Sequence, residues 1–355
     1  MLQYITAREA AEKWSISQRR VSVLCAENRI PNVAMLGNMW IIPRDAEKPM
    51  DARKEKVSKH ADNARPFVKW VGGKSQLIDV LKDNLPENMG TEITRYAEPF
   101  VGGGAFFFEL VNLYDFKEIY INDHNKELIN VYNVVKNQCE SFISELESIE
   151  KQYNYLLEDK QQAFYYEKRE RFNELCLNDE TCLEKATLFI FLNKTCFNGI
   201  YRVNKKGKFN VPFGKRKNIN ICDVDNLYKA SMLLKNVIIK TGDYQDVLNF
   251  ADSSTFVYFD PPYRPLNITS SFTSYTEDDF SDEDQEQLAN VFKELSFRGV
   301  KVMLSNSDPK NANEEDNFFD DLYSDYTIMR VEASRAINSV GSKRGKIKEL
   351  LITNY

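Results

Sequence analysis

Residues 95–110, "RYAEPFVGGGAFFFEL", begin as a short β-rich run, break at three consecutive glycines and resume as an apolar helix. Strand, glycine turn and helix in that order form the first half of a β-α-β unit. Glycines at such a turn let a ligand approach the backbone N–H groups that open the helix. The stretch departs from a dinucleotide fingerprint, because Phe107 stands where the third glycine is required. On its own it is equally well read as a tight turn.

Working outward, short β-rich runs alternate with helical stretches from Pro66 onward: "EIYIND", "VIIKTGDY", "FVYFD", "VKVMLSN", "YTIMRVEA" and "ELLITNY". That alternation predicts an α/β sheet with crossover helices. Residues 137–236 are too long for one crossover, so an inserted subdomain is expected there, helical at first and then loop-like. No internal repeat is evident.

The first 49 residues read as a separate module. Thr6 and Glu9 form a capping-box pattern opening one short helix, Ser17 caps a second, and "PNVAMLGNMWIIP" suits a hairpin turning at Gly37-Asn38. Two helices and a hairpin resemble the winged helix-turn-helix of excisionase- and MerR-like DNA-binding modules. A small folded cap without DNA contacts is the alternative. Residues 50–65 are charged and poor in large apolar side chains, which predicts a flexible linker.

Composition sets limits. The 355 residues are 43% hydrophobic and 28% charged, as in an ordinary soluble protein, and no apolar run approaches the roughly 18 residues of a membrane span. The start lacks a signal-peptide pattern. The six cysteines are scattered without a C-x-x-C pair, which suits reduced thiols in a cytoplasm, and two histidines are scant material for a metal site. No metal is expected. The net charge of −6 conceals local fields.

Several strand ends carry acids. "EIYIND" ends in Asp123, about twenty residues after the glycines, where an acid reaches ribose hydroxyls in nucleoside-binding sheets. "TGDY" places Asp243 to accept from an amino group such as that of adenine. "FVYFD" runs into Asp260-Pro261-Pro262-Tyr263. Each acid alone is more simply a helix cap or a solvated turn; their succession at strand ends points to a ligand site. "VKWVGGKSQL" contains Gly-Lys-Ser, but Val68 stands where a phosphate loop needs glycine and no strand precedes it, so nucleotide hydrolysis is not expected.

Residues 194–217, "KTCFNGIYRVNKKGKFNVPFGKRK", hold eight Lys or Arg, no acid, three glycines and four interleaved aromatics. Such a segment suits phosphate contact and groove reading, with Lys206 as a backbone anchor. "SRAINSVGSKRGK" adds a second basic patch, whereas "TEDDFSDEDQEQ" reads as a solvent-facing helix start.

Taken in order, "KWVGGK", "AEPFVGGGAFF", "INDHN", "FNGIYRVNKKGKFNVPFG", "DPPY" and "RGKIKELLITNY" closely resemble the DNA adenine-N6 methyltransferases that modify GATC and related sites, across about residues 66–355. The resemblance implies a Rossmann-like S-adenosylmethionine-dependent catalytic domain over 66–355, with 137–236 as its target-recognition subdomain. It implies a cofactor pocket built from Trp70, Lys74, Phe100, Gly102, Asp123 and Asp243, bordered by Asp260. It makes Arg202 a guanine reader, with Asn198, Tyr201, Asn210 and Pro212 beside it.

The chemistry agrees with the residues. Adenine N6 is a weak nucleophile because its lone pair is conjugated with the ring. The Asp260 carboxylate and the Pro261 carbonyl, held stiffly by Pro261 and Pro262, would accept its N–H bonds and free that lone pair. Tyr263 offers a stacking face, and the base would be flipped from the duplex. No covalent intermediate is required, and no cysteine accompanies the motifs as cytosine-C5 methylation would need. The expected partner is double-stranded DNA, with a cognate restriction endonuclease possible in the same system. The rival readings are an inactive DNA-binding regulator on the same fold and an RNA or protein-glutamine N-methyltransferase.

Overall fold

The computed structural model describes residues 4–14, 18–26, 29–37, 39–46, 48, 63–70, 72, 74, 77–178, 181–216, 218–264, 280–334 and 346–355. They fall into two compact units, Met1–Asp62 and Asn63–Tyr355.

In the first unit, β1 (Tyr4–Thr6) leads into α1 (Ala7–Trp14) and α2 (Gln18–Ala26), followed by β2 (Ala34–Leu36) and β3 (Met39–Pro43). The expected box opens α1: the Thr6 N–H donates to Glu9 Oε2 at 2.8 Å, and the Glu9 N–H donates to Thr6 Oγ1 at 3.3 Å. The expected hairpin is β2–β3, with Gly37 at φ +62°. Sequence reading missed β1, which pairs antiparallel with β3. Ala10, Trp14, Val21, Leu24 and Ile42 close a small core. Ser17, expected to cap α2, lies outside the described residues, as does the stretch 51–62. The end of the expected linker belongs to the second unit: Ala64 is buried, and the Arg65 backbone exchanges two hydrogen bonds with the Asn226 side chain.

The second unit is built on a seven-stranded sheet. Its strands are β4 (Arg95–Glu98), β5 (Glu118–Asp123), β6 (Val237–Thr241), β7 (Thr255–Phe259), β8 (Lys301–Ser307), β9 (Thr327–Ser334) and β10 (Lys346–Thr353). They lie in the order β6-β5-β4-β7-β8-β10-β9. Pairings from β6 through β8 are parallel, and β10 runs antiparallel to both β8 and β9. All seven coincide with runs expected from the sequence.

Successive residues of a strand face opposite sides, and here both sides are buried. Tyr96, Phe256, Tyr258, Met303 and Leu351 join one core, while Ala97, Val257, Phe259, Leu304 and Ile352 join the other. The central strand β7, buried at every position, accordingly reads as a nearly continuous apolar run.

The first core is covered by α3 (Ile78–Asp83), α4 (Ala105–Leu113), α5 (Lys126–Asn137), α6 (Cys139–Tyr155), α7 (Glu158–Leu177), α8 (Leu183–Thr195) and α9 (Val224–Leu234). Helix α8, "LEKATLFIFLNKT", is apolar on every side because α5, α6 and α7 all pack against it. The expected insertion thus shares its core with the sheet and does not stand apart. Its second half was expected to be loop, yet it holds α9, capped by Asp223. The second core lies under α10 (Asp282–Phe297) and α11 (Phe318–Leu322).

Candidate active site

Chain direction reverses its walk across the sheet between β4 and β7: β5 and β6 lie on one side of β4, while β7 and β8 lie on the other. Ligands of open α/β sheets bind at the carboxyl ends of strands beside such a switch point. Glu98, Asp123, Asp243 and Asp260 all lie at or just beyond the carboxyl ends of β4, β5, β6 and β7.

The glycine turn after β4 is locked to β5. The Gly102 N–H donates to Asp123 Oδ2 at 2.9 Å, and the Asn125 N–H donates to Asp123 Oδ1 at 2.9 Å. Gly102 at φ +48° and Gly104 at φ +71° occupy the left-handed region; a Cβ on Gly102 would meet Trp70 at 2.8 Å, and one on Gly104 would meet the Tyr132 hydroxyl at 2.6 Å. Asp123 therefore first serves as the clamp of this turn. Each of its oxygens retains a lone pair for a ribose hydroxyl. Burial raises its pKa, opposed by the two backbone N–H groups.

Asp243 is exposed; its Oδ1 caps a 3-10 turn through the Gln245 N–H at 2.8 Å. The Asn122 side chain donates to the Gly242 and Asp243 carbonyls, tying the ends of β5 and β6 together. Phe100 stacks on Tyr244 with centroids 5.2 Å apart and meets Phe259 and Phe280 edge-on.

Asp260 follows β7 directly. Its Oδ1 lies 2.8 Å from the Lys74 ammonium, with side chains 21% and 6% exposed respectively. Burial raises the Asp260 pKa, against the pull of Lys74. The same ammonium contacts the Tyr263 hydroxyl and lies 4.2 Å from the Tyr263 ring centroid. The face expected to receive a base is thus overlain by a cation in this arrangement. Val71, Gly73, Ser75 and Gln76, which flank Lys74, lie outside the described residues.

Sequence reading assigned no role to five residues that hold this site. Glu98, buried beside its proline, accepts from the Tyr96 hydroxyl at 2.5 Å, and desolvation raises its pKa well above the carboxylate range. Glu349 on β10 accepts from the Tyr263 hydroxyl at 2.5 Å. Gln285 of α10, fully buried, donates to the Pro262 carbonyl at 3.2 Å and accepts from Asn306 at 3.1 Å. Asn306 Oδ1 receives the Arg264 N–H at 3.3 Å. The Arg264 guanidinium forks onto Asp282 at 2.7 and 2.9 Å and reaches Asp316 at 2.8 Å. The acidic start of α10 faces solvent as expected at Asp282 and Glu283, and Asp282 in addition anchors the loop that follows β7. Only an acid beside a proline at a strand end marked any of these five in the sequence.

The basic segment folds as an irregular loop with bridges Cys196–Phe213 and Val203–Phe209. Its aromatics mostly serve the core. Phe209 and Phe213 are buried, and Tyr201 is 9% exposed, stacked on Phe189 at 5.2 Å and Trp70 at 5.7 Å. Tyr201, expected beside Arg202 among the DNA-contacting residues, is buried in a cluster with the rings of Trp70, Phe189 and Phe209 and so has a packing role here. Trp70 likewise lies between the glycine turn and Tyr201, acting as a wedge. The remaining predicted residues are exposed or partly exposed. Asn198 is exposed in the left-handed conformation at φ +57°, and Pro212 and Lys206 are exposed. Arg202, partly exposed, donates its Nε–H to Asn210 Oδ1 at 2.8 Å, which fixes its plane. The second basic patch, 335–345, lies outside the described residues. All six cysteines are free, and no group of potential metal ligands occurs among the described residues.

An acid–proline–proline–tyrosine loop at the switch point of a seven-stranded sheet with an antiparallel β10 defines a methyltransferase-type catalytic domain. Residues 70–337 match the family model for the D12 class of N6 adenine-specific DNA methyltransferases, and the chain belongs to that family. It is 49% identical to the type II methyltransferase M.MjaIII of Methanocaldococcus jannaschii, over 82% of this chain and 99% of that protein. Against the type II methyltransferase M1.LlaDCHI of Lactococcus lactis subsp. cremoris identity is 40%, over 84% and 98%. Against the DNA adenine methylase of Escherichia coli K12 it is 33%, over 81% and 94%. The chain is accordingly an adenine-specific DNA methyltransferase, an enzyme.

Proposed function

We propose that the protein transfers a methyl group from S-adenosylmethionine to N6 of an adenine flipped from duplex DNA, at GATC or a related site. The half-buried Asp260 carboxylate at the switch point, beside the rigid Pro261-Pro262 backbone, carries this reading.

The residues present suit the cofactor. A partly exposed Asp123 and an exposed Asp243 lie at adjacent strand ends, where ribose hydroxyls and an adenine amino group need acceptors, and the glycine turn is held against the first of them. Trp70, Lys74, Phe100 and Gly102 complete that pocket. When bound, S-adenosylmethionine supplies a methyl group on a sulfonium, an electrophile with a good leaving group.

Asp260 and the Pro261 carbonyl accept the two N–H bonds of the target amino group. That draws electron density toward nitrogen and frees its lone pair for in-line attack. Because Gln285, Asn306 and Arg264 hold the loop in place beforehand, little reorganisation accompanies the reaction. The proton released afterwards leaves by way of Asp260 or water.

Arg202 reads guanine through its terminal NH2 groups, since Asn210 engages only the Nε edge. Asn198 and Pro212 contact DNA beside it, and Lys206 anchors phosphate. The N-terminal unit acts as a helix-turn-helix that adds DNA affinity. Likeness to relatives named type II methyltransferases supports a setting in restriction–modification or DNA protection.

The test is methyl transfer from labelled S-adenosylmethionine to DNA by the wild type and by Asp260→Ala. The wild type should methylate adenine, and D260A should lose the chemical step while binding cofactor within about tenfold of wild type. Wild-type single-turnover rates in D260A would remove the role given to the motif.

A further inference from the structure

Glu349 lies in the middle of β10, opposite Ser307 of β8 and Val331 of β9, and its side chain is 15% exposed. A carboxylate buried to that degree in a sheet requires partners. It has two: the Tyr263 hydroxyl, which donates at 2.5 Å, and the Lys74 ammonium at 3.8 Å. Lys74 therefore stands between two carboxylates, bonded to Asp260 at 2.8 Å and within an ångström or so of the same contact with Glu349.

This arrangement addresses a conflict in the catalytic reading. Asp260 must accept a hydrogen bond from the target amino group, and the Lys74 ammonium on its Oδ1 competes for the charge that makes it a strong acceptor. Withdrawing Lys74 into an apolar space would leave a buried cation unpaired. A second carboxylate on the far side of the ammonium removes that cost. The tyrosine hydroxyl, turned toward Glu349, presents its lone pairs to Lys74 along the way.

We propose that Glu349 is a positioning residue for methyl transfer: it receives the Lys74 ammonium when the target amino group takes Asp260, and it fixes the Tyr263 hydroxyl throughout. The inference rests on the catalytic reading of Asp260.

Glu349→Gln preserves shape and an acceptor for Tyr263 but removes the charge. Single-turnover methylation should fall by about tenfold to a hundredfold, the scale of a misplacement of about 1 Å, with cofactor affinity within about threefold. In a Lys74→Gln background the same substitution should change the rate by less than about twofold, because the two residues act as a unit.

The acid limb of the pH–rate profile supplies a readout that a packing role would not move. The titratable groups around Asp260 are Lys74 from its own loop, Glu349 from β10, Tyr263 from the catalytic loop, Glu98 from β4 and Tyr258 from β7. The negative charge of Glu349 disfavours ionised Asp260, so E349Q should shift the acid limb to lower pH. Glu349→Asp keeps the charge, and its acid limb should coincide with that of the wild type.

A slow E349Q with an unmoved limb, or additive losses with Lys74→Gln, would overturn the proposal in favour of simple packing. A displaced limb in E349D would overturn it even if E349Q fails to fold. Full activity in D260A would instead refute the underlying assignment of Asp260; a dead D260A beside a wild-type-like E349Q refutes only the role of Glu349.

Discussion

Replacing Gln285 by leucine tests how the catalytic loop is held. Gln285 is fully buried in α10, and its amide links the Pro262 carbonyl, at 3.2 Å, to the Asn306 side chain, at 3.1 Å. Leucine fits the volume but makes neither bond. Two polar groups lose their partner, at about 1–3 kcal/mol for each that stays dry. Asn306 is fully buried and bears the full cost; Pro262 is exposed, so water can satisfy part of its carbonyl. Burial of an aliphatic side chain returns about 1 kcal/mol. The net expectation is a loss of roughly 1–3 kcal/mol, read from urea unfolding of the whole chain by near-UV signal. The second consequence is kinetic. With the Pro262 carbonyl released, the adjoining Pro261 carbonyl is less preorganised, and the single-turnover rate should fall about tenfold to a hundredfold while cofactor affinity changes little. A Q285L protein with unchanged stability and unchanged rate would show that Arg264 and Asn306 alone hold the loop, and the clamp described here would be wrong.

Asp123→Ala should weaken S-adenosylmethionine by about 1.5–3 kcal/mol, measured calorimetrically, because it removes an acceptor and releases the Gly102 turn; unchanged affinity would mean the strand-end acid is only structural. Lys185→Met should cost about 3–5 kcal/mol in unfolding experiments, since Lys185 is fully buried against Glu127 at 3.4 Å and its loss strands that carboxylate. Arg202→Ala should lower discrimination at one base pair by about 1–3 kcal/mol, whereas Lys206→Ala should weaken all sequences alike and reduce the salt slope by about one; methylation rates on sites altered at each position separate the two, and a uniform loss in R202A would make Arg202 an anchor. Deleting residues 1–62 should leave a folded, active enzyme with less salt-dependent DNA binding, because Asn63–Tyr355 is a compact unit with its own cores; an inactive truncation would contradict it.

Much of the fold was legible because it rests on local periodicity. Seven β-rich runs became the seven strands: central β7 is buried at every position and nearly all apolar, whereas edge strand β6 is largely exposed. Asp123, Asp243 and Asp260 could be picked out because each closes a β-rich run, and all three do lie at or just beyond strand ends. The helix α9 was missed because its apolar positions are separated by polar ones that pack against neighbouring elements, such as Asn226 on the Arg65 backbone.

What no stretch of sequence contains is the pairing of distant positions. Tyr201 sits in a basic, glycine-rich segment and looks like a surface aromatic; only the approach of Trp70 and Phe189 from elsewhere in the chain buries it. Glu349 lies 86 positions from Tyr263 and becomes its partner because β10 inserts between β8 and β9. The sequence by itself determined the alternation of strands and helices and the chemistry at the strand ends, since both follow from neighbours along the chain. The order of the strands, and with it the company each carboxylate keeps, was decided only by tertiary packing, because hydrogen bonds and charges act across a few ångströms of space regardless of separation in sequence.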